Sequence, residues 1–208
     1  MAVYLIADIR VINPLRYDEY RAVMRGAVRA HRGRYLVRTG EVRVLEGNWV
    51  PPRIVLIEFP DQAAARAFRD GPEFAKARDI CANAAMVDLV LAEGVDPAPA
   101  PLPPHSETHY VISDIKVINP ERFAEYRRSA VVDLTRLGGR YLVRDGQFEI
   151  IAGGWQPTML SIVEYPSRAA IDARLGSDEY ERSRVMRANA AMVDRIVVEG
   201  WPQGKPLE

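Results

Sequence analysis

The hexapeptide GRYLVR at residues 33–38 occurs a second time, unchanged, at residues 139–144, and this repetition decides the fold. The heptapeptide ANAAMVD follows the same spacing, at residues 82–88 and 188–194. At this spacing the two halves of the chain align without a gap. The chain is therefore a tandem duplication, and each copy of about 95 residues has the size of a small domain.

The duplication sets the predicted domain boundaries. We place repeat 1 at residues 1–95, a linker at 96–107, repeat 2 at 108–201 and a C-terminal tail at 202–208. The linker, DPAPAPLPPHSE, is rich in proline, which favours an extended and semi-rigid spacer. Such a spacer allows the two copies to pack face to face.

Composition argues against several classes of protein. The chain has 28 basic and 28 acidic residues, whereas a nucleic-acid-binding protein usually carries a basic excess. Its one cysteine, Cys81, cannot form an internal disulfide, which fits a reducing compartment. Asp8 and Arg10 interrupt the first apolar run, so it is not a signal peptide, and no apolar stretch approaches the roughly 20 residues of a membrane helix. We predict a soluble cytoplasmic protein with neither nucleic-acid nor membrane partners.

The pattern of apolar residues predicts the same elements in both copies. Asn13 and Pro14 begin the first helix as N-cap and first helical residue, and Gly33 ends it. Gly71 and Pro72 interrupt a second helical region. In repeat 1 the order is strand, helix, strand, short strand, strand, broken helix and strand, at residues 4–12, 13–33, 34–38, 40–47, 53–59, 61–83 and 86–93. This is the split βαβ, ferredoxin-like arrangement of the α+β class, whose sheet has helices on one face only.

Side-chain alternation divides each strand between two faces. The alternate apolar residues of the first strand, from Leu5 to Val11, should face the helices, as should Tyr35 and Val37 of the second strand. The open face then carries a set of charges in each copy. They are Asp8, Glu58, Arg34 and Arg38 in repeat 1, and Asp114, Glu164, Arg140 and Arg144 in repeat 2.

Two interpretations of these charges stay open. Because the first and third strands are neighbours in this topology, we expect Asp8 and Glu58 to lie close together, and paired carboxylates suit proton transfer. In the functional hypothesis Asp8, Glu58, Asp114 or Glu164 is catalytic, and the arginines hold an anionic substrate. In the structural interpretation, which we favour, the charges form a cross-strand salt-bridge network.

Aromatic and metal-ligating residues give weaker signals. Trp49 and Trp155 follow glycine turns, and they either pack over the end of a sheet, which we favour, or form a wall of a ligand pocket. No histidine or cysteine occupies the same place in both copies. We therefore predict neither a metal site nor a cofactor.

Short motifs shared by the two copies resemble a known family. They are a first-strand aspartate, Asn-Pro, Tyr-x-x-Tyr or Phe-x-x-Tyr, GRYLVR (preceded by a further glycine in repeat 2), a Gly-x-Trp turn, Glu-Phe-Pro or Glu-Tyr-Pro, and a closing Glu-Gly. In repeat 1 they lie at residues 8, 13–14, 17–20, 33–38, 47–49, 58–60 and 93–94, and in repeat 2 at residues 114, 119–120, 123–126, 138–144, 153–155, 164–166 and 199–200. As a set they resemble the family catalogued as domain of unknown function 1330, over nearly the whole chain except linker and tail.

The resemblance implies the dimeric α+β barrel superfamily, in which two ferredoxin-like units pack sheet to sheet and a small molecule often lies between the sheets. That superfamily includes cofactor-free monooxygenases, decarboxylating and cyclising enzymes, haem-dependent enzymes and stress proteins. The family itself has no agreed activity, so the resemblance assigns no catalytic residue. It also implies that this one chain forms the barrel that single-unit relatives form by dimerising.

We therefore expect a small-molecule-binding protein whose repeats act as an internal dimer, and a further homodimer stays open. The hypothesis extends to a cofactor-independent enzyme acting on a small organic acid or polyketide-like substrate in the inter-sheet cavity. The alternative is a structural or interaction module with a filled barrel. A cavity of roughly 300 Å³ or more would favour the ligand. Differences between the copies, such as Phe68 against Arg174, fit either one specialised pocket or neutral drift, which we favour.

Overall fold

The computed structural model describes residues 1–38, 41–100, 102 and 107–202. Repeat 1 contains β1 (Val3–Val11), α1 (Pro14–Ala30), β2 (Arg34–Val37), β3 (Val42–Glu46), β4 (Ile54–Phe59), α2 (Gln62–Asp70), α3 (Pro72–Cys81) and β5 (Ala85–Glu93). Repeat 2 contains β6 (His109–Val117), α4 (Pro120–Arg136), β7 (Arg140–Arg144), β8 (Phe148–Ala152), β9 (Leu160–Tyr165), α5 (Arg168–Leu175), α6 (Asp178–Ala188) and β10 (Ala191–Glu199). The predicted order of elements is confirmed in both copies. None of the described helices is long and apolar enough to cross a bilayer.

The repeated motifs fix the ends of the first helix in each copy. The Asn13 side chain accepts a hydrogen bond from the backbone N–H of Arg16, at 3.2 Å, and Asn119 caps α4 in the same way. The repeated hexapeptide begins with Gly33, a position that has no room for a side chain. A Cβ there would lie 2.7 Å from Val28 Cγ1 and 2.8 Å from Phe59 Cε1. The chain can therefore pass directly from the helix into β2.

The two five-stranded sheets exchange one strand each. Their strand orders are β2-β4-β1-β5-β8 and β3-β10-β6-β9-β7. Thus β3 of repeat 1 pairs with β10 of repeat 2, and β8 of repeat 2 pairs with β5 of repeat 1. The short strand was predicted as an element, but nothing in its sequence indicates that it joins the other copy's sheet. The exchange interlocks the repeats as an internal dimer.

The space between the sheets is a packed apolar core. Ile6, Leu56 and Val90 from one sheet meet Ile112 and Ile196 from the other, and all five are 0% exposed. Among the described residues, these side chains fill this part of the layer, and the expected ligand cavity between the sheets stays a prediction. The alternation predicted for β1 is confirmed: Leu5 and Ile9 pack under the helices, and Ile6 packs between the sheets.

A bulge changes the facing of the residues that end β2. The register with β4 shifts between Tyr35 and Val37, and both Leu36 and Val37 join the inter-sheet core. Side-chain alternation resumes out of phase, so Arg38 lies on the helix side of the sheet. The same shift in β7 places Arg144 on the helix side of repeat 2. The expectation that Val37 faces the helices and that Arg38 and Arg144 lie on the open face is therefore wrong.

Candidate functional site

The expected proximity of Asp8 and Glu58 is not observed. The strands β1 and β4 are neighbours, but Asp8 lies opposite Ile54, whereas Glu58 lies opposite Tyr4. Four residues of strand separate the two positions, which is roughly 13 Å. Although the two strands are neighbours, the register of their pairing decides which side chains meet, and it keeps Asp8 and Glu58 apart. The eight predicted charges divide among three different environments.

The first environment is a tryptophan pair at one end of the barrel. The rings of Trp49 and Trp155 stack with centroids 4.9 Å apart. Trp49 Nε1 donates to Asp8 Oδ2 at 2.9 Å, and its backbone N–H donates to Asp194 Oδ1 at 3.1 Å. Because Asp8 and Asp194 belong to different sheets, this residue ties the sheets together. Trp155 repeats the arrangement, donating from Nε1 to Asp114 and from its backbone to Asp88.

Asp8 is held in this cluster at an electrostatic cost. Burial raises the pKa of Asp8, the hydrogen bond from Trp49 lowers it in part, and the neighbouring Asp88 raises it again. Asp8 and Asp88 lie directly opposite each other on β1 and β5. The Asp8 carboxylate is thus an acceptor for an indole N–H, and its charge faces a second carboxylate.

The second environment is a pair of salt bridges near the other end of the same strands. Arg34 Nη2 lies 2.6 Å from Glu58 Oε2, and the Tyr4 hydroxyl donates to Glu58 Oε1 at 3.2 Å. In repeat 2, Arg140 pairs with Glu164, and the Tyr110 hydroxyl donates to Glu164 at 2.9 Å. These four charges therefore form the cross-strand network that the structural interpretation describes.

The third environment is a cavity between α1 and the sheet of repeat 1, with a volume of about 30 Å³. Its walls are mainly apolar, and three tyrosines, Arg21 and Arg38 complete them. Arg38 is 6% exposed, and its guanidinium lies 5.7 Å from the ring centre of Tyr35 and 5.3 Å from that of Trp201. Burial lowers the pKa of Arg38, and the nearby Arg21 lowers it further. The cavity thus combines apolar walls with positive charge.

Repeat 2 has an equivalent cavity of about 40 Å³ under α4, and its walls combine apolar side chains with serines, tyrosines and arginines. Arg174 and Arg195 are buried there, and Arg174 Nε lies 3.1 Å from the buried Asp133. Five residues that line the repeat 2 cavity differ from their equivalents in repeat 1: Arg195 replaces Leu89, Arg174 replaces Phe68, Tyr165 replaces Phe59, Ser113 replaces Ala7, and Ser161 replaces Val55. The change from Phe68 to Arg174 was visible in the sequence, where neutral drift was the favoured explanation. The strand alternation that placed Leu5 under the helices could have grouped the other changes on one face.

Neither cavity holds a recognisable metal site. Across the part of the chain that the structure describes, no three His, Cys, Asp or Glu side chains converge as metal ligands.

The volumes of the two cavities limit the size of a ligand. A water molecule needs about 10–15 Å³ of cavity volume. The cavity of repeat 1 therefore has room for about two waters and that of repeat 2 for about three. Both are far below roughly 300 Å³, so only a compact molecule fits without movement of the helix.

Comparisons with known proteins agree with the architecture. The family model called domain of unknown function 1330 matches residues 2–95 and again residues 108–201. No curated protein matches the chain.

Solved structures with a similar fold cover nearly the whole chain. A candidate monooxygenase from Fusobacterium nucleatum superposes with a TM-score of 0.55 at 8% identity, over 96% of this chain and 92% of that chain. A candidate chlorite dismutase gives a TM-score of 0.53 at 10% identity, over 98% and 96%. A candidate monooxygenase from Lactobacillus acidophilus NCFM gives 0.50 at 12% identity, over 95% and 92%. At such identities the likeness concerns the fold alone, which is the dimeric α+β barrel formed within one chain.

Proposed function

We propose that this chain binds a small organic acid in the cavity under α1 of repeat 1. The chain belongs, through both of its repeats, to the family called domain of unknown function 1330. One observation carries the proposal: an apolar cavity is bordered by the buried guanidinium of Arg38. Such a site combines apolar walls for a hydrocarbon chain with a cation that fixes the orientation of a carboxylate.

The charges around the cavity favour an anion over a neutral ligand. The titratable side chains that line it are tyrosines and the arginines Arg21 and Arg38. Burial raises the pKa of Tyr17 and raises that of Tyr35 to about 12, so both hydroxyls are neutral hydrogen-bond donors near pH 7. A carboxylate would accept from these donors and would reduce the repulsion between the arginines.

The size of the cavity selects the smaller of the expected ligands. Space for about two waters suits a short acid, whereas a polyketide-like molecule would require α1 to move away from the sheet. The proposal is therefore binding of a short-chain acid. It assigns structural roles to Asp8 and Asp114, which accept from the tryptophans, and to Glu58 and Glu164, which pair with arginines. A catalytic step at these carboxylates would first require breaking those contacts.

Acetate is a suitable probe, and titration calorimetry measures its affinity. Replacing Arg38 by methionine (Arg38→Met) keeps an unbranched apolar side chain but removes the cation, so we expect acetate affinity to fall about tenfold or more. The matched control is Arg29→Met, the same substitution at an exposed arginine of α1, which should leave acetate affinity unchanged. Equal effects of the two substitutions, or no acetate binding by the unaltered protein, would contradict the proposal.

A further inference from the structure

The cavity of repeat 2 is lined by a buried guanidinium whose carboxylate partner is shared. The Arg195 side chain is 7% exposed; its Nε donates to Ser113 Oγ at 2.9 Å and its Nη1 to the Tyr180 hydroxyl at 3.3 Å. Its carboxylate partner is Glu46, at 3.8 Å, and Glu46 lies closer to Arg187, at 2.6 Å. A buried charge is unfavourable unless it is paired, and here two buried arginines share one carboxylate.

Positive charge is in excess around this cavity. Arg127 pairs with Asp145 at the cavity, and Asp133 binds Arg174 inside and Arg136 at the surface. Around the cavity there are five arginines against three carboxylates: Arg127, Arg144, Arg174, Arg187 and Arg195 against Glu46, Asp133 and Asp145. The equivalent positions of Arg174, Arg187 and Arg195 in repeat 1 are Phe68, Cys81 and Leu89. These three arginines therefore belong to one copy only.

A second observation points to a missing partner. The Tyr165 hydroxyl lines the same cavity, its residue is 1% exposed, and the oxygen has no hydrogen-bond partner among the described residues. Buried polar groups almost always have a partner, so such a hydroxyl indicates that something else occupies the space. Repeat 1 has Phe59 at this position, and a phenyl ring needs no partner.

We propose that the cavity of repeat 2 binds a compact oxyanion of the size of formate, held by the guanidiniums of Arg195 and Arg174 and by the hydroxyl of Tyr165. Guanidinium groups and a phenol are all donors, so a small carboxylate can accept from each of them. The available space, about three waters, matches such an anion. This site does not depend on the function proposed for repeat 1, because the two cavities lie in different repeats and share no residue.

Ionisation of Tyr126 is the alternative way to neutralise the cavity. Burial by itself raises the pKa of Tyr126, but Arg195, Arg187 and Arg174 together lower it below the ordinary value. The Arg187 guanidinium lies 5.5 Å from the centre of the Tyr126 ring. A tyrosinate at neutral pH would take the place of the external anion.

Formate binding at constant ionic strength tests the proposal, with calorimetry for affinity and amide chemical-shift mapping for location. Tyr165→Phe introduces the residue of repeat 1 and removes a hydroxyl that has no partner. It should therefore leave thermal stability without formate unchanged or higher, while it weakens formate binding about fivefold. Arg195→Leu introduces the other residue of repeat 1 and should weaken binding at least tenfold.

Two controls separate this site from charge effects and from the first cavity. Arg184→Leu removes an exposed arginine of α6 and should leave formate affinity unchanged. Arg38→Met should weaken acetate binding and leave the formate-induced amide shifts around Ser113 unaffected, so the two proposed sites are tested separately.

Three results would overturn the proposal. The first is that the unaltered protein does not bind formate, and the second is that neither Tyr165→Phe nor Arg195→Leu changes its affinity for formate. The third is that the unaltered protein shows tyrosinate absorbance at neutral pH and that Tyr126→Phe abolishes this absorbance. If Arg195→Leu does not fold, Tyr165→Phe and the amide shifts around Ser113 decide the question.

Discussion

Trp49 and Trp155 show how a single residue can join two domains. Each indole donates to a carboxylate of its own repeat, and each backbone N–H donates to a carboxylate of the other repeat. The repetition of a Gly-x-Trp turn and a first-strand aspartate was visible in the sequence. Their contact was not, because it depends on the exchanged strand that precedes each tryptophan.

Removing the acceptor tests this role. Asp8→Ala leaves the part-buried indole N–H of Trp49 without its partner, so we expect the free energy of unfolding to fall by about 1–3 kcal/mol. Arg10→Ala, two residues along the same strand and exposed, should change it by no more than about 0.5 kcal/mol. Urea unfolding of the unaltered protein and the two variants measures the free energies of unfolding. Similar values for Asp8→Ala and Arg10→Ala would contradict the role of Asp8 as a partner of Trp49.

The charge of Asp8 has a separate and opposite effect. Because the pKa of Asp8 is raised in the folded state, its contribution favours folding below the ordinary pKa of 3.8 and is lost as pH rises through the folded value. Asp8→Asn keeps an oxygen acceptor for Trp49 but cannot ionise. We expect it to be more stable than the unaltered protein at neutral pH, with the gap closing in acid. Unfolding curves measured across this range check the sign, and a gap that widens in acid would refute it.

At the scale of elements, strand facing was predictable and strand partnership was not. The alternation of apolar residues placed Leu5 and Ile6 on opposite faces of β1, as observed. The bulge that places Arg38 on the helix side of the sheet cannot be predicted from the sequence RYLVR, because it arises from the pairing with β4. The exchange of β3 and β8 is likewise set by the shape of the assembled barrel.

The turn after each exchanged strand depends on a glycine. Gly153 has a φ of +88°, and a Cβ there would lie 2.1 Å from Asp88 Oδ1, whereas nothing lies within 4 Å of a Cβ at Gly154. We expect Gly153→Ala to lower the free energy of unfolding by about 2 kcal/mol or more, because strain and steric overlap add. Gly154→Ala, the adjacent control, should change it by about 0.5 kcal/mol or less. Thermal unfolding distinguishes them, and equal losses would argue against a conformational cause.

At the scale of the whole molecule, the duplication was the strongest signal in the sequence, and it led to the correct fold. The packing between the sheets was not predictable, because sequence patterns show which faces are apolar but not how completely two such faces fill the space between them. The polar cavity of repeat 2 illustrates the same difficulty. Leu89 against Arg195 is an ordinary difference in an alignment, and it becomes informative only when Tyr165 and Arg174 are seen beside it.

The exchange of strands makes the association of the repeats independent of the linker. If a protease site is introduced between residues 97 and 100 and cleaved, we expect the two pieces to stay together at micromolar concentration. Paired strands and the inter-sheet core continue to hold them. Size-exclusion chromatography with mass detection shows the outcome, and separation of the pieces without denaturant would contradict the interlocked arrangement.

Glu46 pairs with Arg187 and Arg195 of repeat 2 from a strand that repeat 1 supplies, and its counterpart in the other direction is Ala152. When two identical chains form a barrel, one codon determines the residue at both ends, so every substitution arrives twice. Fusion gives each end its own codon. Glu46, Arg187 and Arg195 could thus be assembled at one end while the other end kept an apolar interior, and a single gene product gained two chemically distinct compartments.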